Sequence, residues 1–188
     1  MNIFADKIFT RRLLLRKTEE ADLPLLVGWS NNLEVYGDFL TPEQMTIEEG
    51  KRNFGAGLFW NGQSRTFIIE LRNEEAPIGT IHYWLRSENK KIAIVALKIA
   101  QLDLRNQGYG TEAQKFLIMH LFEKMMLQAV EMYTDIDNLS QQRCLNKLGF
   151  KLVDSLQYED QQIIRTGHLF RLTREDFKQV PLYKFHYE

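Results

Sequence analysis

A chain of 188 residues is long enough to bury a core of its own, and its length suits one domain over residues 1–188. Hydrophobic residues make up 44% and charged residues 26%, an ordinary globular composition that excludes a disordered or fibrous chain. The formal net charge of −1 supplies no broad basic face, so nucleic acid is not an expected partner, and no apolar stretch reaches the roughly 18 residues of a membrane span.

The amino-terminal MNIFADKIFTRRLLLR places its positive charges in the wrong order for a secretory signal. Cys144 is the single cysteine, which rules out an internal disulfide or a multi-thiolate metal site, and a cytoplasmic location is the resulting expectation. Residues 9–16 alternate loosely between apolar and charged and predict a first strand. Thr18 then opens a helical segment, with Glu19, Glu20 and Asp22 at its start and Leu23, Leu25, Leu26 and Trp29 along it. A turn at Thr41-Pro42-Glu43 precedes a second helix through Glu48 and Lys51. Residues 67–71 and 78–85 predict two strands joined by a hairpin loop over 72–77. The nearly unbroken apolar run 92–99 predicts a strand covered on both faces. Residues 111–126 carry Ala113, Phe116, Leu117, Leu121 and Met125 at helical spacing, and 130–136 return to strand character. Residues 138–148 predict a short helix ended by Gly149, and strands over 150–156 and 163–172 finish a mixed α/β order.

The segment LDLRNQGYGTEA lies between the apolar strand and the amphipathic helix. Gly108 and Gly110 let backbone approach an anion, while the following helix points unpaired N–H groups at the same place, which together describe a phosphate cradle. A dinucleotide fingerprint is not met, because Ala113 stands at the third glycine position and the near-N-terminal first strand and the downstream acidic residue both lack their usual context, and no Gly-Lys-Ser/Thr triplet completes a nucleotide-triphosphate loop.

Arg105-x-x-Gly108-x-Gly110 resembles the Gln/Arg-x-x-Gly-x-Gly/Ala signature of the GNAT acetyltransferases. Asp137-Asn138, Arg143 and Lys147-Leu148-Gly149-Phe150 resemble the ribosomal-protein-alanine acetyltransferase branch, as does Arg12-Leu13-Leu14-Leu15-Arg16 followed by Asp22. The resemblance implies a central mixed, mostly antiparallel sheet splayed between two parallel strands, with helices on both faces. It implies acetyl-CoA as co-substrate, no metal, and transfer of the acetyl group to a primary amine of a small molecule or peptide. A homodimer is a further expectation from the family.

Carried onto this chain, backbone N–H groups from Gln107 through Gly108, Tyr109 and Gly110 to Thr111 would hold the pyrophosphate, with Arg105 and Asn106 in the same loop. Leu97, Ile99 and Ala100 would offer main-chain hydrogen bonds to the pantetheine arm, Asn138 would touch the same arm, and Arg143 would reach the adenosine end. The chain departs from the family where a general-base glutamate is usual, having Ile94 or Val95, and where a tyrosine acid is usual, having Leu145. Gln141 replaces a serine three residues after Asn138. Acyl transfer needs a neutral amine, a stabilised oxyanion and a proton for the thiolate. His82, Tyr133 and Asp135 are the side chains placed to handle protons, although a strand histidine, a core tyrosine and a helix-capping aspartate are equally served by structural roles. The aromatic residues Trp29, Tyr36, Phe39, Phe54, Phe59 and Trp60 precede the cofactor elements and are expected to roof the acceptor cleft, with Asp38, Glu48 and Glu49 attracting a cationic amine.

Overall fold

The computed structural model describes residues 6–160 and 162–184, so the first five residues of the amino-terminal segment lie outside it. Its strands are β1 (Lys7–Phe9), β2 (Leu13–Lys17), β3 (Ser64–Leu71), β4 (Ala76–Leu85), β5 (Ile92–Ile99), β6 (Ala129–Asp135), β7 (Lys151–Asp160) and β8 (Ile163–Thr173). The helices are α1 (Leu23–Ser30), α2 (Leu33–Tyr36), α3 (Ile47–Gly55), α4 (Tyr109–Glu123), α5 (Leu139–Lys147) and α6 (Arg174–Gln179). All eight strands join one sheet in the order β1-β2-β3-β4-β5-β6-β8-β7. Every neighbouring pair is antiparallel except β5 with β6.

That parallel pair is short. Ile92 pairs with Ala129, Ala93 with Val130 and Ile94 with Glu131, and there the ladder stops although β5 runs on to Ile99 and β6 to Asp135. The two strands diverge beyond Ile94 and leave an opening at the middle of the sheet. On its other edge β5 stays paired to β4 as far as Ile99, where it meets Gly79. A Cβ on Gly79 would lie 2.1 Å from the Lys98 carbonyl oxygen, so only glycine lets these backbones come this close.

Alternation along the strands builds two different faces. One face carries Leu15, Phe67, Ile81, Val95 and Val130 against Leu117 and Leu121 of α4, all essentially inaccessible to water. Each of these helix leucines stabilises the fold by about 1.5–3 kcal/mol through burial alone. The opposite face is covered only in part, where Trp29, Val35 and Tyr36 pack on Ile68 and Ala100. The uncovered remainder of that face, around Thr66, Thr80 and His82, floors a cavity.

The α1 segment is fixed at its start by polar groups. The Asp22 carboxylate accepts the Glu19 N–H at 2.8 Å, and the Arg16 guanidinium bridges Asp22 and Glu70, each at 2.8 Å, tying this turn to β2 and β3. The strand expected over 9–16 is two strands, because Thr10 closes a tight turn: its N–H and its hydroxyl both meet Leu13. The apolar strand 92–99 is covered on both faces only over Ala93–Val95, and its second half is partly exposed because β6 has left it. Strand β7 extends past the expected limit at residue 156, paired to β8 on both sides of a register shift at Val153.

Candidate active site

The loop before α4 is held in one shape by contacts from three elements. Gly108 occupies the helix N-cap with φ of 83°, in the left-handed region that disfavours a side chain. The Arg12 guanidinium donates to the Gln107 carbonyl oxygen at 3.1 Å and lies 4.2 Å above the Tyr109 ring, while its Nε meets the Glu112 carboxylate at 2.7 Å. The Gln107 side chain turns back to the Asp103 carbonyl oxygen, so Gln107 and Tyr109 contribute backbone to the loop and point their side chains elsewhere. Glu112 donates the first backbone bond of α4, to Gly108 O, leaving the preceding N–H groups aimed out of the helix end, where the helix dipole also favours an anion.

Arg105 does something the sequence does not reveal. Its Nε donates to the Ile99 carbonyl oxygen at 2.9 Å and a terminal nitrogen donates to the Val35 carbonyl oxygen at 2.5 Å. The guanidinium therefore shapes the loop by clamping it to the end of β5 and to α2, and burial lowers its pKa from the ordinary arginine value. Ala100 also differs from the expectation. Its N–H donates to Ile78 O at 2.7 Å and its side chain is buried, so that amide is committed within the sheet, whereas Leu97 and Ile99 border the open cavity.

Helix α5 closes the other wall. The Asn138 side-chain oxygen caps the helix by accepting the Gln141 N–H at 3.1 Å, and Gln141 donates to buried Gln114, which donates in turn to Gly110 O. Gln141, present where the family has serine, thus links α5 to α4. Ser140 reaches Asn106, and Cys144 lies 3.2 Å from the Thr111 hydroxyl. Between these elements is a cavity of about 560 Å³ bordered by Arg105, Asn106, Gly108, Gly110, Thr111 and Asn138. Arg143 stands on its exposed rim, and Lys147, four residues on and so on the same helix face, stands beside it. That spacing was the available signal for Lys147.

Two further cavities adjoin this one among the described residues. The second, about 420 Å³, has a sheet floor of Ser64, Thr66, Thr80, His82, Trp84, Ala96 and Lys98 and a roof that includes Trp29, Tyr36, Glu43 and Phe59. The third, about 400 Å³, fills the opening between β5 and β6 and is bordered by Tyr133, Asp135 and Tyr158. Leu40 and Leu97 border all three. His82 therefore stands in the second cavity, and Tyr133 and Asp135 in the third; the three proton-handling candidates do not form one cluster.

Each candidate has a defined setting. Burial and the Lys98 charge push His82 down to about 4, so it is neutral at pH 7, and its ring stacks on Trp84 with centroids 4.9 Å apart. The Tyr133 hydroxyl accepts from the Arg86 guanidinium at 2.9 Å. Asp135 caps the turn before α5 through the Asp137 N–H at 2.9 Å and faces Arg165 at 3.9 Å. Ile94, Val95 and Leu145 are all buried and none supplies a proton-transferring group. Trp29, Tyr36 and Phe59 border the second cavity and Phe39 the others, while Trp60 packs against Phe67. Glu49 is occupied in capping α3, and the carboxylate that does border the second cavity is Glu43. Glu43, Lys98 and Trp84 were legible only as members of a turn and of alternating strands.

Residues 12–151 match the family model described as the acetyltransferase (GNAT) domain. The chain belongs to the GNAT acetyltransferase family. Among solved structures, the GNAT chain is similar to a ribosomal L7/L12 alpha-N-protein acetyltransferase in complex with coenzyme A, at 15% identity and a TM-score of 0.76, covering 89% of this chain and 97% of that one. It is similar to a chimera of a Vibrio cholerae spermidine N-acetyltransferase, at 14% identity and a TM-score of 0.75 over 89% and 98% of the two chains. It is also similar to an aminoglycoside acetyltransferase in complex with coenzyme A, at 18% identity and a TM-score of 0.73 over 89% and 98%. These likenesses establish the GNAT fold. No significant match exists among curated protein sequences. Among the described residues, no group of His, Cys, Asp and Glu side chains is arranged to hold a metal, and no helix is long and apolar enough to cross a membrane.

Proposed function

We propose that this GNAT enzyme transfers the acetyl group of acetyl-CoA directly to a primary amine within a ternary complex. The observation that carries the reading is the divergence of β5 and β6 after the Ile94–Glu131 pair, beside an anion cradle at the α4 N-terminus, with three cavities meeting at Leu40 and Leu97. The first cavity fits coenzyme A: unpaired N–H groups and left-handed Gly108 suit the pyrophosphate, and Arg143 and Lys147 suit the adenosine phosphates. Bound there, acetyl-CoA supplies an activated thioester. Leu97 and Ile99 would border its pantetheine arm, and Asn138 would face the same arm.

The second cavity supports an amine acceptor with an apolar or flat portion, because its walls combine Glu43 with the rings of Trp29, Phe59 and Trp84. Proteins, spermidine and aminoglycosides are the acceptors of the similar structures named above, and a protein N-terminus, a polyamine or a small amino compound belongs to the same proposal for this chain. Direct transfer is favoured over an acyl-cysteine because burial pushes the Cys144 thiol up and away from thiolate formation. His82, Tyr133 and Asp135 are proposed as side chains that orient or deprotonate the amine from the two sides of the junction. A single domain over residues 1–188, a cytoplasmic location and a homodimer complete the proposal, as does the absence of nucleic-acid or membrane partners.

The test is thiol release from acetyl-CoA against a panel of primary amines and peptide N-termini, with coenzyme A affinity measured on the same sample. Turnover with one class names the acceptor. Tight coenzyme A binding without turnover on any amine would replace this reading with a non-catalytic acyl-CoA sensor, the reading that the apolar Ile94, Val95 and Leu145 positions favour.

A further inference from the structure

Expelling coenzyme A from a tetrahedral intermediate leaves a thiolate that needs a proton, and the donor must stand where cofactor and acceptor meet. Tyr36, Leu40, Leu97 and Lys98 border both the first and the second cavity. Tyr36 and Lys98 are the polar side chains in that set, and the Lys98 ammonium donates to the Tyr36 hydroxyl at 3.0 Å while lying 4.1 Å from its ring centroid. Tyr36 comes from the last turn of α2 and is 6% exposed; Lys98 comes from the stretch of β5 that has lost its β6 neighbour. Helix α2 is itself held by Arg105, whose guanidinium joins Val35 O to Ile99 O on either side of this pair.

We propose that Tyr36 is the catalytic acid of this enzyme and that Lys98 is its positioning residue, which rests on the acetyltransferase reading above. The amine nitrogen forms its bond to the carbonyl carbon, the carbon–sulfur bond breaks with its electron pair on sulfur, and the Tyr36 hydroxyl proton passes to that sulfur. The phenolate so formed is stabilised by the Lys98 ammonium. The proton released from the amine nitrogen returns through solvent to Tyr36, so no proton is gained or lost over the cycle. The groups facing Lys98 are Glu43 from the loop before α3 and His82 from β4. Burial lowers the Lys98 pKa and Glu43 opposes the shift, while His82 is neutral and adds no charge. The cation that stabilises the phenolate is therefore lost below the ordinary lysine range.

The experiment compares wild type with Tyr36→Phe, Lys98→Met and Lys98→Arg, reading amine-dependent thiol release, slow acetyl-CoA hydrolysis, coenzyme A affinity and thermal melting. Tyr36→Phe keeps the ring that packs on Ile68, so it is expected to fold and to bind coenzyme A as wild type does. Its kcat should fall about 100-fold or more with little change in KM. The alkaline limb of the wild-type kcat profile should vanish with the hydroxyl. Lys98→Met should lower kcat in the same direction, and Lys98→Arg, which keeps a cation beside the hydroxyl, should recover most of it. A Tyr36→Phe enzyme with wild-type kcat and an intact alkaline limb, or with a loss confined to KM, overturns the assignment alone. A wild type that neither acetylates any amine nor hydrolyses acetyl-CoA overturns the acetyltransferase reading and the assignment with it.

Discussion

Glu131 sits at the last rung of the parallel ladder, where β5 and β6 separate, and it is 0% exposed. One carboxylate oxygen accepts from the Arg86 Nε at 2.5 Å and the other from Arg171 Nε at 2.7 Å. Arg86 extends from the end of β4 across β5, while Arg171 is the cross-strand neighbour of Glu131 on β8, so one buried group joins three strands and fixes where they part. Glu131→Gln keeps the volume but removes the charge, and it turns one acceptor into a donor facing a guanidinium. Breaking a buried ion pair costs about 3–5 kcal/mol. The two arginine side chains are 25% and 37% exposed and rehydrate in part when released, which places the expected loss near the low end, about 3 kcal/mol. For a domain of this size that is a drop in melting temperature of about 6–12 °C. Arg86→Met, which leaves Arg171 on the carboxylate, should cost less, about 1–2 kcal/mol. It also takes from Tyr133 the guanidinium that holds its hydroxyl. Urea unfolding and thermal melting of the three proteins check the order. A Glu131→Gln loss below about 1 kcal/mol, the range of exposed surface pairs, would refute the reasoning that this carboxylate is a buried hinge pin.

Three other outcomes follow from the same geometry. Arg105→Ala should weaken coenzyme A binding about tenfold by calorimetry, because two charge-assisted bonds that shape the loop are lost, and Arg105→Lys should not restore it, since a single ammonium cannot span two carbonyls. His82 has its folded pKa depressed to about 4 from the ordinary 6.5, so its contribution to stability is fully present above pH 6.5 and is lost as the pH falls toward 4; His82→Asn should flatten the pH dependence of urea stability within that window. Replacing both Arg143 and Lys147 by Ala should weaken coenzyme A binding severalfold at low salt and little at high salt, because both side chains stand exposed on the cavity rim.

Strand positions were legible because a bounded apolar run is a local property: residues 92–99 read as a strand and form β5 with the same limits. The loop at 105–110 was legible because glycine at 108 answers a local backbone demand, φ of 83°. The four-residue α2 was not, being too short for any period to register, and yet it carries Tyr36. Glu131 was hidden for a different reason. A carboxylate inside an apolar strand reads as solvent-facing unless its partners are known, and Arg86 and Arg171 are 45 and 40 positions away in the chain. Arg105 shows the converse difficulty: a cation in a phosphate loop reads as an anion ligand, while its fixed partners are carbonyl oxygens contributed by α2 and β5.

Lys98 makes the same point at the level of chemistry. Within a run of apolar residues it adds one charge that does not break the strand signal, so the pattern reports coverage on both faces. The register places it instead beside Thr80 and two residues beyond the His82–Ala96 pair, on the sheet face that α1 and α2 leave partly open. A lysine survives there because its ammonium lies 4.1 Å from the Tyr36 ring centroid and has the Tyr36 hydroxyl as acceptor. The cofactor loop then bears on this pair through a continuous set of contacts: Gly108 sets the loop, Arg105 ties it to β5 and α2, and α2 presents Tyr36. Through that chain of contacts Arg105→Ala should lower kcat as well as cofactor affinity, and combining it with Tyr36→Phe should add little further loss in kcat, since both remove the same proton donor from its place. Full multiplicative losses in the double variant would show instead that the loop and the acid act independently.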